Sequence, residues 1–512
     1  MQVESHSPIR SEFRLMTAIL LVGVSLTSAV VDAQEETLVL VGATIIDGNG
    51  GDPLADGTII VQGNHIVKIG RKIEVDPPPG ALVIDVSGKF ITPGFIDTNV
   101  HISLYSGEET LAKYGARNHE LAIEGAQMQL KFGVTTVRDS YGELGALIRA
   151  RDAIAGGEAV GARMLVAGNI AGWGGTYSVS FGLRRETELS LFQELMNDRL
   201  TESSDEAWMD MYPEELRVAV NDYLDRGPDF IKYGGTSHWS YPTLIGFSPR
   251  QQLVIVQEAH KRGMVAETHA TNPEGLRLAL EAGVDLVQHP EVLANKELSD
   301  ELVAMFRDRG VICSMLTNTF TGEAWLKHIE KVRAAEEEKE TTDEQDKEGE
   351  ETSLRVRRTV DREPTRAELR KKINRFGDWE MLRRNAKKLI DGGCIVTVGT
   401  DNYLGRAPEF SRTPKPLWQE PGIGTIIGIE GLVELGMSPV EAIVAATRNG
   451  ARACKMEDEL GTLEVGKLAD LLILGADPLK DISNIRKLSM VMKEGVIVDT
   501  AALPTNPIFF IR

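Results

Sequence analysis

Six polar residues stand where apolar runs stop: Asn99 and His101 after "GFID", Lys232 after "DFI", His269 after "VAET", His289 after "LVQ" and Asp401 after "TVGT". A buried imidazole, ammonium or carboxylate at such a place costs several kcal/mol unless it is paired or bound to a metal. Taken singly, each reads as a hydrogen-bonded core residue. Together they are of the types that bind zinc and similar ions, and they recur at equivalent positions along the chain. Other histidines are few. His260 falls mid-helix and His328 on a charged helix, both surface positions, and His6, His65, His119 and His238 complete the set. In "PGFIDTNVH" a strand ending histidine-any-histidine would set two imidazoles on one face, but the first position is Asn99. The stretch is either a metal site with one altered ligand or no metal site.

The elements that must position these residues alternate. Short apolar strands ("GVTTVRD", "ARMLVAG", "DFIKYGG", "MVAETHA", "DLVQHP", "GVICSML", "CIVTVGTD") are separated by helical stretches. Helix starts are marked by Ser248-Pro249, Asn272-Pro273 and Ser438-Pro439, a capping side chain before a proline at the first helical position. This repetition predicts an α/β protein with a parallel sheet closed into a (β/α)8 TIM barrel over residues 93–455. Function in such a barrel sits at the C-terminal ends of the strands, where the six residues lie. Residues 34–92 read instead as short strands with turns, including a hairpin at Gly63-Asn64, and the texture returns over 456–512. One small β-sandwich domain built from both chain ends is expected.

Composition narrows the function classes. The 512 residues are 42% apolar and 26% charged with a net charge of −20, which disfavours nucleic acid as a partner. Much of that charge is local: residues 336–351 carry a net −8 and 354–375 a net +6. These runs form a charged insertion at about 320–375, read as a solvated excursion, a lid or a contact in a homo-oligomer. Arg10 and Arg14 precede an apolar run, then Val31-Asp32-Ala33 and Gln34, so residues 1–33 fit a signal peptide for export, periplasmic or secreted. An uncleaved leader anchoring the chain to a membrane is the alternative. The three cysteines, Cys313, Cys394 and Cys454, are scattered, and no disulfide framework follows.

The motifs "ITPGFIDTNVH", "GVTTVRDS", "FIKYGG", "ETHATNPEGLRLALEAGVDLVQHP", "VGTDN" and "GTLEVGKLADLLIL" resemble the metal-dependent amidohydrolase superfamily, nearest its imidazolonepropionase- and prolidase-like branch. The resemblance spans about residues 36–500 and implies a barrel with a split β-sandwich. It implies that His101 is a ligand from the first strand and that Lys232, carboxylated by CO2, bridges two metals. His269 and His289 would bind the second metal. Asp401 would bind the first and act as the catalytic proton shuttle. Zn2+ or a similar divalent ion, one or two per chain, is the implied cofactor. Asn99 departs from the pattern as a weaker ligand, so the first metal is held loosely or is missing. The implied activity is hydrolysis of a C–N bond in a small amide, a dipeptide or an N-acyl amino acid, with a cyclic amide or lactone as the alternative. A barrel that binds ligands without turnover is the rival of another class. Tyr233 and His238, just past Lys232, are weaker candidates for substrate binding. The glycine-rich loop 168–182 reads as a wall of the pocket, and Arg138-Asp139 as part of an ion pair inside the barrel.

Overall fold

The computed structural model describes residues 37–103, 107–178, 189–237, 243–293, 296–334, 379–411 and 415–510. The leader 1–33, His238 and most of the charged insertion lie outside the described residues. Eight short strands form the barrel: β1 (Phe95–His101), β2 (Val134–Asp139), β3 (Arg163–Val166), β4 (Phe230–Gly234), β5 (Val265–His269), β6 (Leu286–Gln288), β7 (Ile312–Met315) and β8 (Ile395–Val398). β1 to β3 and β4 to β8 are two parallel ladders. Backbone bonds close the ring between them. Asp229 N donates to Val166 O (2.8 Å) and Ala171 N to Lys232 O (2.9 Å) across β3 and β4. Asp401 N donates to Asn99 O (2.8 Å) across β8 and β1.

The helix starts form as their sequences predict. Ser248 accepts from Gln251 N, Asn272 from Gly275 N and Ser438 from Glu441 N, each just before a helix-opening proline. Each cap satisfies an amide that the helix leaves without a partner, typically about 1 kcal/mol. The strands are buried along their whole length except Arg163, Leu165 and Ile395, because helices cover the outside and side chains fill the inside.

The small β domain is one sheet from both parts of the chain. Phe90–Pro93 lies parallel to Thr37–Ile45 on one side and antiparallel to Leu471–Leu474 on the other. Its inner face packs Leu40, Ile59, Ile91, Leu471, Ile473 and Met492. Gln62 faces His65 across the Gly63-Asn64 turn, where Gly63 takes a φ of 57°. One part of the chain departs from the sequence expectation. Past Val496–Val498, residues 500–510 leave the sheet and run along the barrel helix Asn118–Lys131, with Lys131 Nζ donating to Leu503 O (2.7 Å).

Candidate metal centre

The end of β8 is drawn against β1. A side chain at Gly399 would collide with Ser314 Oγ and the Asn99 side chain, so glycine lets the strands approach. Asp401 follows with φ at 54°, and His289, after β6, has φ at 36°. Non-glycine residues in this region carry strain of about 1–3 kcal/mol each and cluster where side chains must be aimed. His101 Nε2 donates to Asp401 Oδ1 (2.8 Å), and Asn99 Nδ2 donates to the same oxygen (3.1 Å). Burial would raise the Asp401 carboxyl, but the hydrogen bond from His101 and the nearby Lys232 ammonium overcome it and hold it well below the usual range.

Below this pair lies a fully buried polar chain. Lys232 Nζ donates to Gln288 Oε1. Gln288 Nε2 donates to Ser140 Oγ (2.6 Å) and to Glu267 Oε1 (2.5 Å), and Glu267 Oε2 accepts from Arg138 Nη2 (2.5 Å). A carboxylate only accepts, so Glu267 fixes the Gln288 amide with its oxygen toward Lys232. The Arg138 guanidinium also lies 4.0 Å from the centre of the Phe230 ring. Burial pushes the Lys232 amine down to about 8, against the opposing pull of Glu267, Asp401 and Asp139.

The third part of the site is aromatic. His269 Nε2 donates to Thr236 O (2.9 Å), which makes Nδ1 the lone-pair nitrogen of that ring. The rings of His269 and His289 lie nearly parallel, 5.9 Å apart. Burial, with the charge of Lys232, pushes His289 down to about 4 against the pull of Asp401, so its imidazole is neutral and fit to ligate. Trp173 lies 4.5 Å from His269, in space left by Gly234, where any side chain would strike the indole. Tyr141 is 5.8 Å from His101 and 6.4 Å from Trp173.

The fold thus gathers Asn99, His101, Lys232, His269, His289 and Asp401 at one end of the barrel. Tyr233 is a correction. Alternation along β4 turns Lys232 inward and Tyr233 outward, where its hydroxyl donates to Gln252 Oε1 (2.9 Å) on helix Pro249–Lys261 and its ring meets Phe247. Tyr233 does not face the site. Ser140, Glu267 and Gln288 are the residues that the reading from sequence missed. Glu267 stands two places before His269 and shares its inward face, a signal available from strand period alone.

Among the described residues, no three His, Cys, Asp or Glu side chains stand together closely enough to form a metal-holding group. The donor types fit a divalent ion. Asn99 Oδ1 and His101 Nδ1 are buried acceptors without a hydrogen-bond donor among the described residues, an unmet demand that a cation would satisfy.

A model of the amidohydrolase family matches residues 90–498. The chain is 25% identical to the imidazolonepropionase of Symbiobacterium thermophilum over 450 residues, 83% of this chain and 86% of that protein. Among solved structures, a molinate hydrolase aligns with a TM-score of 0.78 at 28% identity, over 94% of this chain and 98% of that one. Phenylurea hydrolase B gives the same TM-score and identity over 93% of this chain and 100% of its own.

Proposed function

Given that the chain belongs to the amidohydrolase family, in its imidazolonepropionase- and prolidase-like branch, and so to hydrolases of C–N bonds, we propose that it cleaves an amide-type bond of a small molecule with Asp401 as proton shuttle. The observation that carries this reading is the convergence of Lys232, His269, His289 and the His101–Asp401 pair on one end of the barrel. These side chains would hold the divalent ion, with Lys232 as its carbamate. When bound, such an ion activates water and polarises the scissile carbonyl. Asp401 takes the proton of the attacking water and returns it to the leaving nitrogen, and its low pKa keeps it ionised to begin that transfer. Asn99 and His101 hold the receiving oxygen in place. The lowered pKa of Lys232 leaves an appreciable neutral fraction near neutral pH, the form that adds to CO2.

The rings of Tyr141 and Trp173 suit an apolar substituent beside the carbonyl. Dipeptides and N-acyl amino acids with such a group are the proposed substrates. Ureas, carbamates and cyclic amides present the same carbonyl bound to nitrogen, and similarity to phenylurea hydrolase B is the reason to test phenylureas beside them. The leader at 1–33 is proposed to direct export.

The test is metal content per chain, by elemental mass spectrometry after dialysis, followed by a hydrolysis screen over these classes. About one equivalent of zinc or a similar ion, with turnover of a panel member, is the expected result. A chain that takes up no metal from zinc and bicarbonate would sink the reading. Asn99→His should raise the content toward about two equivalents, because an imidazole replaces the weaker amide at the first position. Unchanged stoichiometry in that variant would show that Asn99 does not limit the first position.

A further inference from the structure

The end of the chain is held by the barrel in an unusual manner. Glu124, on helix Asn118–Lys131, is 2% exposed, and its carboxylate accepts from three successive backbone amides. Oε1 takes Ile508 N (2.8 Å), Phe509 N (3.1 Å) and Phe510 N (3.0 Å), and Oε2 takes Phe509 N (3.0 Å). Gln127, one turn on, exchanges two bonds with Thr505: its Nε2 donates to Thr505 Oγ1 and its Oε1 accepts from Thr505 N, both 3.0 Å. Lys131, one turn further, donates to Leu503 O. These residues lie three and four apart, so one helix stripe reads the tail's backbone from residue 503 to 510.

What the tail touches gives this arrangement its meaning. Phe509 packs edge-on to Tyr114 at 5.4 Å, in a cluster with Leu121, Leu404 and Ala407. Tyr114 ends helix Glu108–Tyr114, in the connection that follows His101, and residues 404–410 follow Asp401. These two segments are also tied directly. Ala407 N donates to Thr110 Oγ1 (3.1 Å), and Glu409 accepts from Lys113 Nζ and Tyr114 Oη, both at 2.5 Å. Phe509 is the wedge that fills the space beside that tie.

We propose that helix 118–131 carries a peptide-binding site, centred on Glu124, whose occupant is the chain's own segment 503–510. The bound segment is a strap that holds the connections following β1 and β8, and so the His101–Asp401 pair, in register. Glu124 is a positioning residue: it touches neither substrate nor metal and acts through the tail. The ligand class is an apolar peptide whose backbone bends to offer consecutive amide N–H groups to a buried carboxylate, with an aromatic ring for the Tyr114 cleft. The inference rests on the function proposed above only for its metal readout.

Hydrogen exchange on the whole chain, on a variant lacking residues 503–512 and on Glu124→Gln and Phe509→Ala tests it. In the truncated protein, amides of 107–117 and 402–411 should exchange about tenfold faster or more, while β4 to β6 keep their protection. The free peptide LPTNPIFFIR should restore protection in the truncated protein, and not in its Glu124→Gln form. Cobalt affinity should fall and recover in parallel. Unchanged exchange in both segments, or rescue independent of Glu124, overturns the proposal. If truncation prevents folding, the two full-length substitutions decide by the same exchange readout. A whole chain that binds no cobalt speaks against the metal reading alone, since exchange judges the strap without it.

Discussion

Lys232→Ala should give a folded protein that has lost its metal, and kcat/KM on any substrate found by the screen should fall on the order of 10³-fold or more. As its carbamate, Lys232 would supply the one anionic donor of the set besides Asp401, and the neighbouring rings are neutral donors. The fold should survive, because the lost group leaves Gln288 Oε1 short of one donor, a penalty of about 1–3 kcal/mol. Elemental analysis and a thermal melt on the same sample separate the two effects. Added short-chain carboxylic acids offer a rescue, since a small carboxylate can enter the space left by the side chain. An alanine variant with its full metal content would remove Lys232 from the site.

Glu267→Gln should be the most destabilising conservative change in the barrel, by about 3–5 kcal/mol, read as a lowered urea midpoint at unchanged slope. Arg138 and Glu267 are both wholly buried, and Arg138 Nε and Nη1 have no hydrogen-bond partner among the described residues. Without the carboxylate, a guanidinium is left in the barrel with no counter-charge. Arg138→Met with Glu267→Met should cost less than Glu267→Gln alone, because the guanidinium leaves together with its counter-charge. A Glu267→Gln protein as stable as the parent would show that water or a rearranged partner reaches Arg138. The same change frees the Gln288 amide to turn over, so metal affinity should fall with stability.

The barrel, the two-ended β domain and the six residues at the strand ends were legible in the sequence, for identifiable reasons. A strand buried on both faces stays apolar until it emerges, so His101, His269, His289 and Asp401 stand out as interruptions. Serine or asparagine before proline marks a helix start that needs no tertiary context. Strand period could have put Glu267 on the inner face, but the pairing of Arg138, Glu267, Gln288 and Lys232 was not legible, because they come from four strands and meet only when the ring closes. Arg138 was visible as an inner ion-pair partner, but its acid is on β5 and not beside it. Tyr233 was misjudged by adjacency: one step along a strand reverses the face. The tail's bond to Glu124 had no local signal at all, since it joins backbone amides near the end of the chain to a helix nearly four hundred residues earlier.

The placement of Phe90–Pro93 between Thr37–Ile45 and Leu471–Leu474 has a consequence for how the chain comes off the ribosome. The first strands emerge early, yet one edge of Phe90–Pro93 has no partner until the whole barrel and then Leu471–Leu474 have been synthesised. Through that interval Leu40, Ile59 and Ile91 face a half-built core and an open sheet edge, the kind of surface on which nascent chains stick to one another. Closure of the small domain is therefore a late event set by the length of the barrel, and holdase binding to residues 37–93 should persist until the strand at 471 is released.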